Sequence, residues 1–323
     1  DFTIKVDERF NEPDYIIKHW AAEATALTPD ANGVYSISNA NQLAWLAEQV
    51  NAGNTFSGKT INLTNDIDLH NMPSTPIGLG ELSTPFSGTL DGAKATRSGD
   101  CYTIRNLYVA PTKGEYTAAG LFGRLHGCVK NLVIDGAYVE HTTSGNADGA
   151  TTNGIAVVAG STYNSNIETA VENVTVKNAT VKGNRYVAGI IGVVYSQLGL
   201  DKVTNSGNVT SLGNYVAGVI GLIDDSDLIV SEMLSSGAIT SSGTDGYVAG
   251  LIGRTNNNIT VKTSISNLGA VVSEGSNVGG MFGYIKQGFT AQAAVTISNT
   301  GNVRSEGDNV GGIVGNIEGE FTL

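Results

Sequence analysis

Apolar residues along this chain fall in short runs of three to six, separated by Gly, Asn, Ser and Asp. "SGNVTS" at 206–211, "YVAGVIG" at 215–221 and "SDLIVSEM" at 226–233 are typical. Runs of this length, rich in Val and Ile and bounded by turn formers, predict β-strands. One stretch departs from the pattern. In "SNANQLAWLAEQVNAG", Leu43, Leu46, Ala47 and Val50 stand at i, i+3, i+4 and i+7, which predicts an amphipathic helix near 39–52. Asn39 and Gln42 make a start resembling a capping box, and Gly53 supplies the stop.

The strand pattern is periodic. "VAGIIG" at 187–192 returns as "VAGVIG", "VAGLIG", "VGGMFG" and "VGGIVG", with earlier relatives "AAGLFG" and "IAVVAG". Their final glycines are Gly123, Gly160, Gly192, Gly221, Gly253, Gly283 and Gly315, at steps of 37, 32, 29, 32, 30 and 32. A second ladder runs through Asn106, Asn131, Asn173, Asn205, Ser235, Asn267 and Asn299 at steps of 25, 42, 32, 30, 32 and 32. Its longest step holds "HTTSGNADGATTNG", whose composition marks an insertion. Self-similarity near 30 residues is the signature of a stacked array.

Each unit holds three short strands and no helical period, which excludes two-helix repeats and the leucine-rich horseshoe. The expected fold is all-β: a single-stranded right-handed parallel β-helix, a solenoid with the short helix capping its N-terminal end. Residues 1–35 read as an aperiodic lead-in and 36–323 as the solenoid, with about nine coils spanning roughly 45 Å at ~4.8 Å per coil. The motif glycines then serve bends that need positive φ or room for a neighbouring backbone. Asparagine tolerates left-handed backbone and can bond its amides along the stack. A phosphate-loop role is excluded, because no copy continues into Lys-Ser/Thr and a helix.

Composition narrows the partners. With 30 acidic against 18 basic residues the formal charge is −12, so the basic stripe that nucleic acid requires is missing. No apolar run reaches the 18 residues of a membrane span. The 42 glycines lack a period of three, so they serve turns rather than a collagen helix. The opening at Asp1, without methionine or an apolar leader, reads as a mature or trimmed form.

The order "YSISNANQLAWLAEQVNAGNTFSGKTINLTNDIDL", then "PIG", "PFSGTLDG", "IRNLYV" and "AGLFG", resembles the GLUG-repeat secreted and surface proteins of Bacteroidetes. "GLFG" at 120–123 matches the repeat core, as do "GIIG", "GVIG", "GLIG", "GMFG" and "GIVG", with GLUG-type repeats from about 100 to 323. The resemblance implies an extracellular, cell-surface, adhesin-like binding or display module without enzymatic activity, with a glycan or a host surface protein as partner. Such repeats also occur in the non-catalytic part of immunoglobulin A1 protease-type metallopeptidases, which makes an accessory segment of such a peptidase the second reading. Its HExxH helix is missing: His19, His70, His126 and His141 stand in no such motif.

The third reading is a polysaccharide lyase or glycoside hydrolase, since many β-helices cleave polysaccharides. Hydrolysis needs an acid and a base or nucleophile across a cleft. "LIDDSDL" offers Asp224, Asp225 and Asp227, but the Gly-His-Gly and Arg-x-Lys motifs of β-helical pectin hydrolases are missing. These aspartates read as a solvated turn, with low-affinity calcium binding as the alternative and no other cofactor expected. Asp66 and Asp68 in "NDIDL" share a strand face and read as partners of adjacent turns.

Tyr186, Tyr215 and Tyr247 each precede the final motif glycine by six, and Asn277 and Asn309 continue that column. Stacked coils would align the rings into an exposed platform for sugars, the candidate ligand-binding surface; rings that merely fill a groove are the alternative. Cys101 and Cys128 fall in neighbouring coils with an offset that favours free thiols. Phe321 corresponds to Phe289, so the chain reaches Leu323 as a strand begins, and the expectation is that further coils, another domain or a second copy covers that end.

Overall fold

The computed structural model describes residues 24–79, 84–96, 99–110, 118–141, 154–162, 169–244 and 246–323. Most of the expected lead-in, and the core of the insertion at 142–153, lie outside these described residues.

The chain winds into a parallel β-solenoid. One strip stacks Phe122–Leu125, Ala159–Thr162, Ile191–Val194, Ile220–Ile223, Ile252–Thr255, Phe282–Ile285 and Val314–Ile317. A second seven-stranded strip runs from Tyr108–Val109 to Val303–Ser305, and a five-stranded strip from Val187–Ala188 to Val310–Gly311. The broadest sheet begins at Tyr35–Ile37 and reaches Glu320–Thr322 through the long strands Cys128–Asp135, Thr169–Lys177, Leu198–Asn205, Leu228–Ser235 and Ile259–Asn267. Equivalent positions meet in register: Ile191 pairs with Ile220, Ile220 with Ile252, and Ile252 with Phe282. All four are fully buried, and burying each such side chain contributes about 1.5–3 kcal/mol.

About seven coils are present rather than nine. Residues 36–323 hold about nine repeat lengths. Before Phe122, however, the chain spends residues on the helix Ala40–Asn51 and on short strands such as Thr60–Leu63 and Thr89–Asp91, which extend only the broad sheet. Seven coils span about 34 Å at ~4.8 Å each. In the helix, the Asn39 side chain accepts from the Gln42 amide at 3.1 Å, and Gln42 Oε1 accepts from the Ser38 amide at 2.7 Å. Leu43, Leu46, Ala47 and Val50 join the same core as Ile37, Phe56 and Ile61.

The seven motif glycines stand in register, since Ala159 pairs with both Phe122 and Ile191 and the later copies follow. None of them has positive φ. Of the two reasons for a glycine, room for the neighbouring coil is the one that applies. A Cβ on Gly221 would lie 2.7 Å from the Gly192 carbonyl oxygen, and one on Gly253 would lie 2.6 Å from that of Gly221.

The asparagine ladder is three columns rather than one. Asn106 lines up with Gly136 and Asn178, because Arg105 pairs with Asp135 and Asp135 with Lys177. Asn131 aligns with Asn173, whose Nδ2 donates to Asn131 Oδ1 at 3.0 Å; the next position is Lys202. Asn205, Ser235, Asn267 and Asn299 form the third column. Asn106, Asn131 and Asn173 take left-handed backbone, while Asn205, Asn267 and Asn299 do not. The last three instead clamp their own turns: Asn267 Nδ2 donates to the Gly269 carbonyl at 2.8 Å and Oδ1 accepts from the Gly269 amide at 3.2 Å.

Candidate functional site

Along the five-stranded strip, Val187, Val216, Val248, Val278 and Val310 pair in turn. The residues just before them, Tyr186, Tyr215, Tyr247, Asn277 and Asn309, therefore stack as one column, as their common spacing predicts. All five hold left-handed backbone, with φ from 55° to 67°. For a tyrosine that conformation costs about 1–2 kcal/mol, and it directs the rings back across the outer face of the adjoining seven-stranded strip.

A second column lies there, at the residue after each motif glycine: Arg124, Ser161, Val193, Leu222, Arg254, Tyr284 and Asn316. Tyr186, Val193 and Leu222 form a small apolar cluster outside the main core, with Tyr195 and Tyr215 against it. The exposed platform expected from the sequence is thus corrected. Tyr186 is only 5% exposed, Tyr215 and Tyr247 are half-buried, and their faces meet one another. Ring centres are 4.9 Å apart for Tyr186–Tyr215 and 5.0 Å for Tyr215–Tyr247, and Tyr284 meets Tyr247 edge-on at 5.6 Å. Faces already covered by neighbours leave only ring edges and polar groups for a ligand.

Two arginines complete the surface. Arg185 stacks over Tyr186 and Tyr215, at 4.6 and 5.2 Å from their ring centres. Arg254 lies 4.9 Å from Tyr247, 5.0 Å from Tyr284 and 5.9 Å from Tyr215. Its Nε donates to Asn256 Oδ1 at 3.0 Å, and Asn256 Nδ2 donates to Asp224 Oδ1 at 2.7 Å. Burial, then a hydrogen bond with Glu318, pushes the Tyr284 hydroxyl up to about 12. Burial also raises the Tyr186 hydroxyl, against the lowering effect of Arg185. Towards the C-terminal end the column turns polar: Asn277 Oδ1 accepts from Asn309 Nδ2 at 3.1 Å and Asn316 Nδ2 at 3.2 Å.

No known family profile matches the chain, and no solved structure matches it. Over 161 residues the chain is 30% identical to halomucin of Haloquadratum walsbyi, an alignment covering 46% of this chain and 2% of that protein. The chain thus spans a small fraction of the length of this relative.

The other sequence candidates fall elsewhere. Asp224, Asp225 and Asp227 lie in a turn that the following coil ties down. Asp224 is engaged by Asn256, and Asp227 Oδ1 accepts from the Asn258 amide at 3.0 Å and its Nδ2 at 3.2 Å. Among the described residues no group of three or more His, Cys, Asp or Glu side chains is placed to hold a metal ion. Cys101 and Cys128 are unpaired. Burial first, then the Glu172 carboxylate, pushes the Cys128 thiol up to about 11, and burial raises Cys101, whose Sγ accepts from Asn173 Nδ2 at 3.3 Å.

Asp66 and Asp68 likewise join coils. Asp66 accepts from the Thr103 amide at 3.0 Å and meets Lys94 at 3.3 Å and Arg105 at 3.1 Å. Asp68 accepts from the His70 amide and from Asn106 Nδ2, both at 2.8 Å. Asp135 meets Lys177 at 3.3 Å and accepts from Asn178 Nδ2 at 2.8 Å. Burial raises all three carboxyls, but their donors and cations outweigh it and hold them below the ordinary value. In the pH range between their lowered folded values and the unfolded value near about 3.9, the unfolded chain binds more protons. Their stabilisation is therefore present above about pH 4 and lost as pH falls through the folded values. Urea midpoints are expected to stay level from about pH 7 to 5 and to drop below about pH 4. Asp66→Asn should flatten part of that drop, and an unchanged profile would show that the ties do not act through ionisation.

Arg254, Tyr284 and Asn316 were not singled out from the sequence. The signal was present at a fixed offset, immediately after each motif glycine, but Val, Leu, Arg, Tyr and Asn at one position carry no visible regularity until the neighbouring column is placed.

Proposed function

We propose that this chain is a non-enzymatic binding or display module of an extracellular cell-surface protein, in the manner of the GLUG-repeat proteins it resembles, with glycans as its ligands. We take the winding to be right-handed, the hand that parallel crossovers adopt. The observation that carries the reading is the continuous outer surface built by two register-matched columns. Half-buried tyrosine edges, two arginines and a run of asparagine amides follow one another along the stack. Hydrogen-bonding edges beside apolar ring rims suit sugars, which present hydroxyls around apolar C–H faces. The likeness to a protein called halomucin fits a surface location. No described helix is long and apolar enough to cross a membrane.

A glycan array probed with the purified chain tests the proposal. At least one glycan class should be retained, and Tyr215→Ala with Tyr247→Ala should weaken it about tenfold, the scale of one or two lost aromatic contacts. Tyr186 is left in place because it is buried. No retention on any glycan would defeat the glycan assignment, and release of reducing ends or unsaturated sugars from a polysaccharide panel would defeat the non-enzymatic one.

A further inference from the structure

We infer that the tyrosine–arginine surface selects acidic sugars, with the Arg185 and Arg254 guanidiniums receiving the carboxylates of a uronic-acid-type glycan. The inference rests on the glycan-binding reading above and adds the ligand class.

Both guanidiniums lie within 6 Å of one ring centre, that of Tyr215, at 5.2 and 5.9 Å. They come from different coils and sit on the same side-chain stack, so their spacing is set by the solenoid rather than by flexible loops. Stacking on tyrosine fixes the plane of each guanidinium; with Arg254 Nε donating to Asn256 and Arg185 Nε buried, the terminal Nη edge is the direction left for bonding. That edge matches a carboxylate in two parallel bonds.

Among the described residues, five other basic groups carry carboxylate partners. Lys94 and Arg105 are paired with Asp66, Lys130 with Asp91, Lys177 with Asp135 and Arg304 with Glu306. Arg185 and Arg254 form no ion pair among the described residues, in a chain whose formal charge is −12. Arg185 Nε is buried without a hydrogen-bond partner, at a cost in free energy. Asp224 and Glu318 lie close by, hydrogen-bonded to Asn256 and Tyr284 with their charges in place. The repulsion from the rest of the acidic surface is screened beyond about 8 Å at physiological ionic strength, so the interaction is set locally, where the guanidinium forks bond a carboxylate directly.

Chemically paired polymers give the test: polygalacturonate and the same polymer with its carboxyls reduced to neutral galactose units, both immobilised at physiological ionic strength. The unaltered chain should bind the acidic form at least tenfold more tightly. Arg185→Gln with Arg254→Gln should remove that preference, while Arg304→Gln, an exposed arginine outside the site, should leave it intact. Arg254→Lys keeps the charge but not the planar fork and should lose most of the preference. Equal binding of the two polymers by the unaltered chain would overturn the inference whether or not the variants fold. Retention of neutral glycans with no effect of the arginine changes would overturn it too, leaving the glycan reading standing. Binding to neither polymer nor any arrayed glycan would defeat both.

Discussion

Alanine at Gly218 is expected to destabilise the chain by about 3 kcal/mol or more, whereas alanine at Gly312 should change stability by no more than about 0.5 kcal/mol. The two positions are equivalent in the repeat. At Gly218 an added Cβ would come closer than 3 Å to the Gly250 carbonyl oxygen and to Ser235 Oγ. The Gly218 amide donates to that same carbonyl at 3.1 Å, so relieving the clash means opening the contact that joins two coils. A Cβ on Gly312 would meet nothing within 4 Å. Loss of unfolded-chain entropy favours alanine slightly at both sites, so the difference between them isolates packing. Urea unfolding followed by circular dichroism measures it. In an array stabilised by nearest-neighbour contacts, Gly218→Ala should also split the transition as the two halves uncouple. A Gly218→Ala protein as stable as the parent would mean that the coils do not approach at this spacing.

The second large effect is expected at Asn267, whose side chain is 0% exposed. Its amide serves the Gly269 amide and carbonyl and donates to Asn299 Oδ1 at 2.9 Å. Leucine would leave two backbone groups of a buried turn without their side-chain partners, at about 1–3 kcal/mol each. Asn267→Leu should therefore cost about 3 kcal/mol despite being more apolar. The same column offers the opposite change. Ser235 occupies the rung between Asn205 and Asn267, is fully buried, and its Oγ has no hydrogen-bond partner. Ser235→Asn should restore the clamp and raise stability by about 1 kcal/mol. If Asn267→Leu is neutral, the amide clamps are incidental to the fold.

Much of the architecture was legible because a solenoid repeats the same environment, and a constraint met once per coil leaves a periodic mark. The mark is sharpest where the constraint is absolute. No side chain fits between stacked backbones at Gly221 or Gly253, so the glycine column is regular enough to fix the register by eye. The asparagine ladder was harder to read. Asn173 and Asn205 serve different columns, one on left-handed backbone and one on a turn clamp, yet their spacing of 32 is that of a single column. A spacing records distance along the chain and does not say which face of the strand a residue occupies.

For this protein the sequence by itself determined the parallel stack, the helix at Ala40–Asn51, the glycine register and the alignment of Tyr186, Tyr215 and Tyr247. Each follows from local pattern or from repetition, and Phe289 with Phe321 extends the same logic, their rings stacked at 4.5 Å. The tertiary structure alone decided how many coils close, how exposed the tyrosines are, and that Arg185 and Arg254 share one stack. Left-handed backbone at each tyrosine turns the rings onto the next strip, where Val193, Leu222, Arg254 and Tyr284 cover them. Exposure is a property of two columns meeting in space, and the period along the chain specifies only one column at a time.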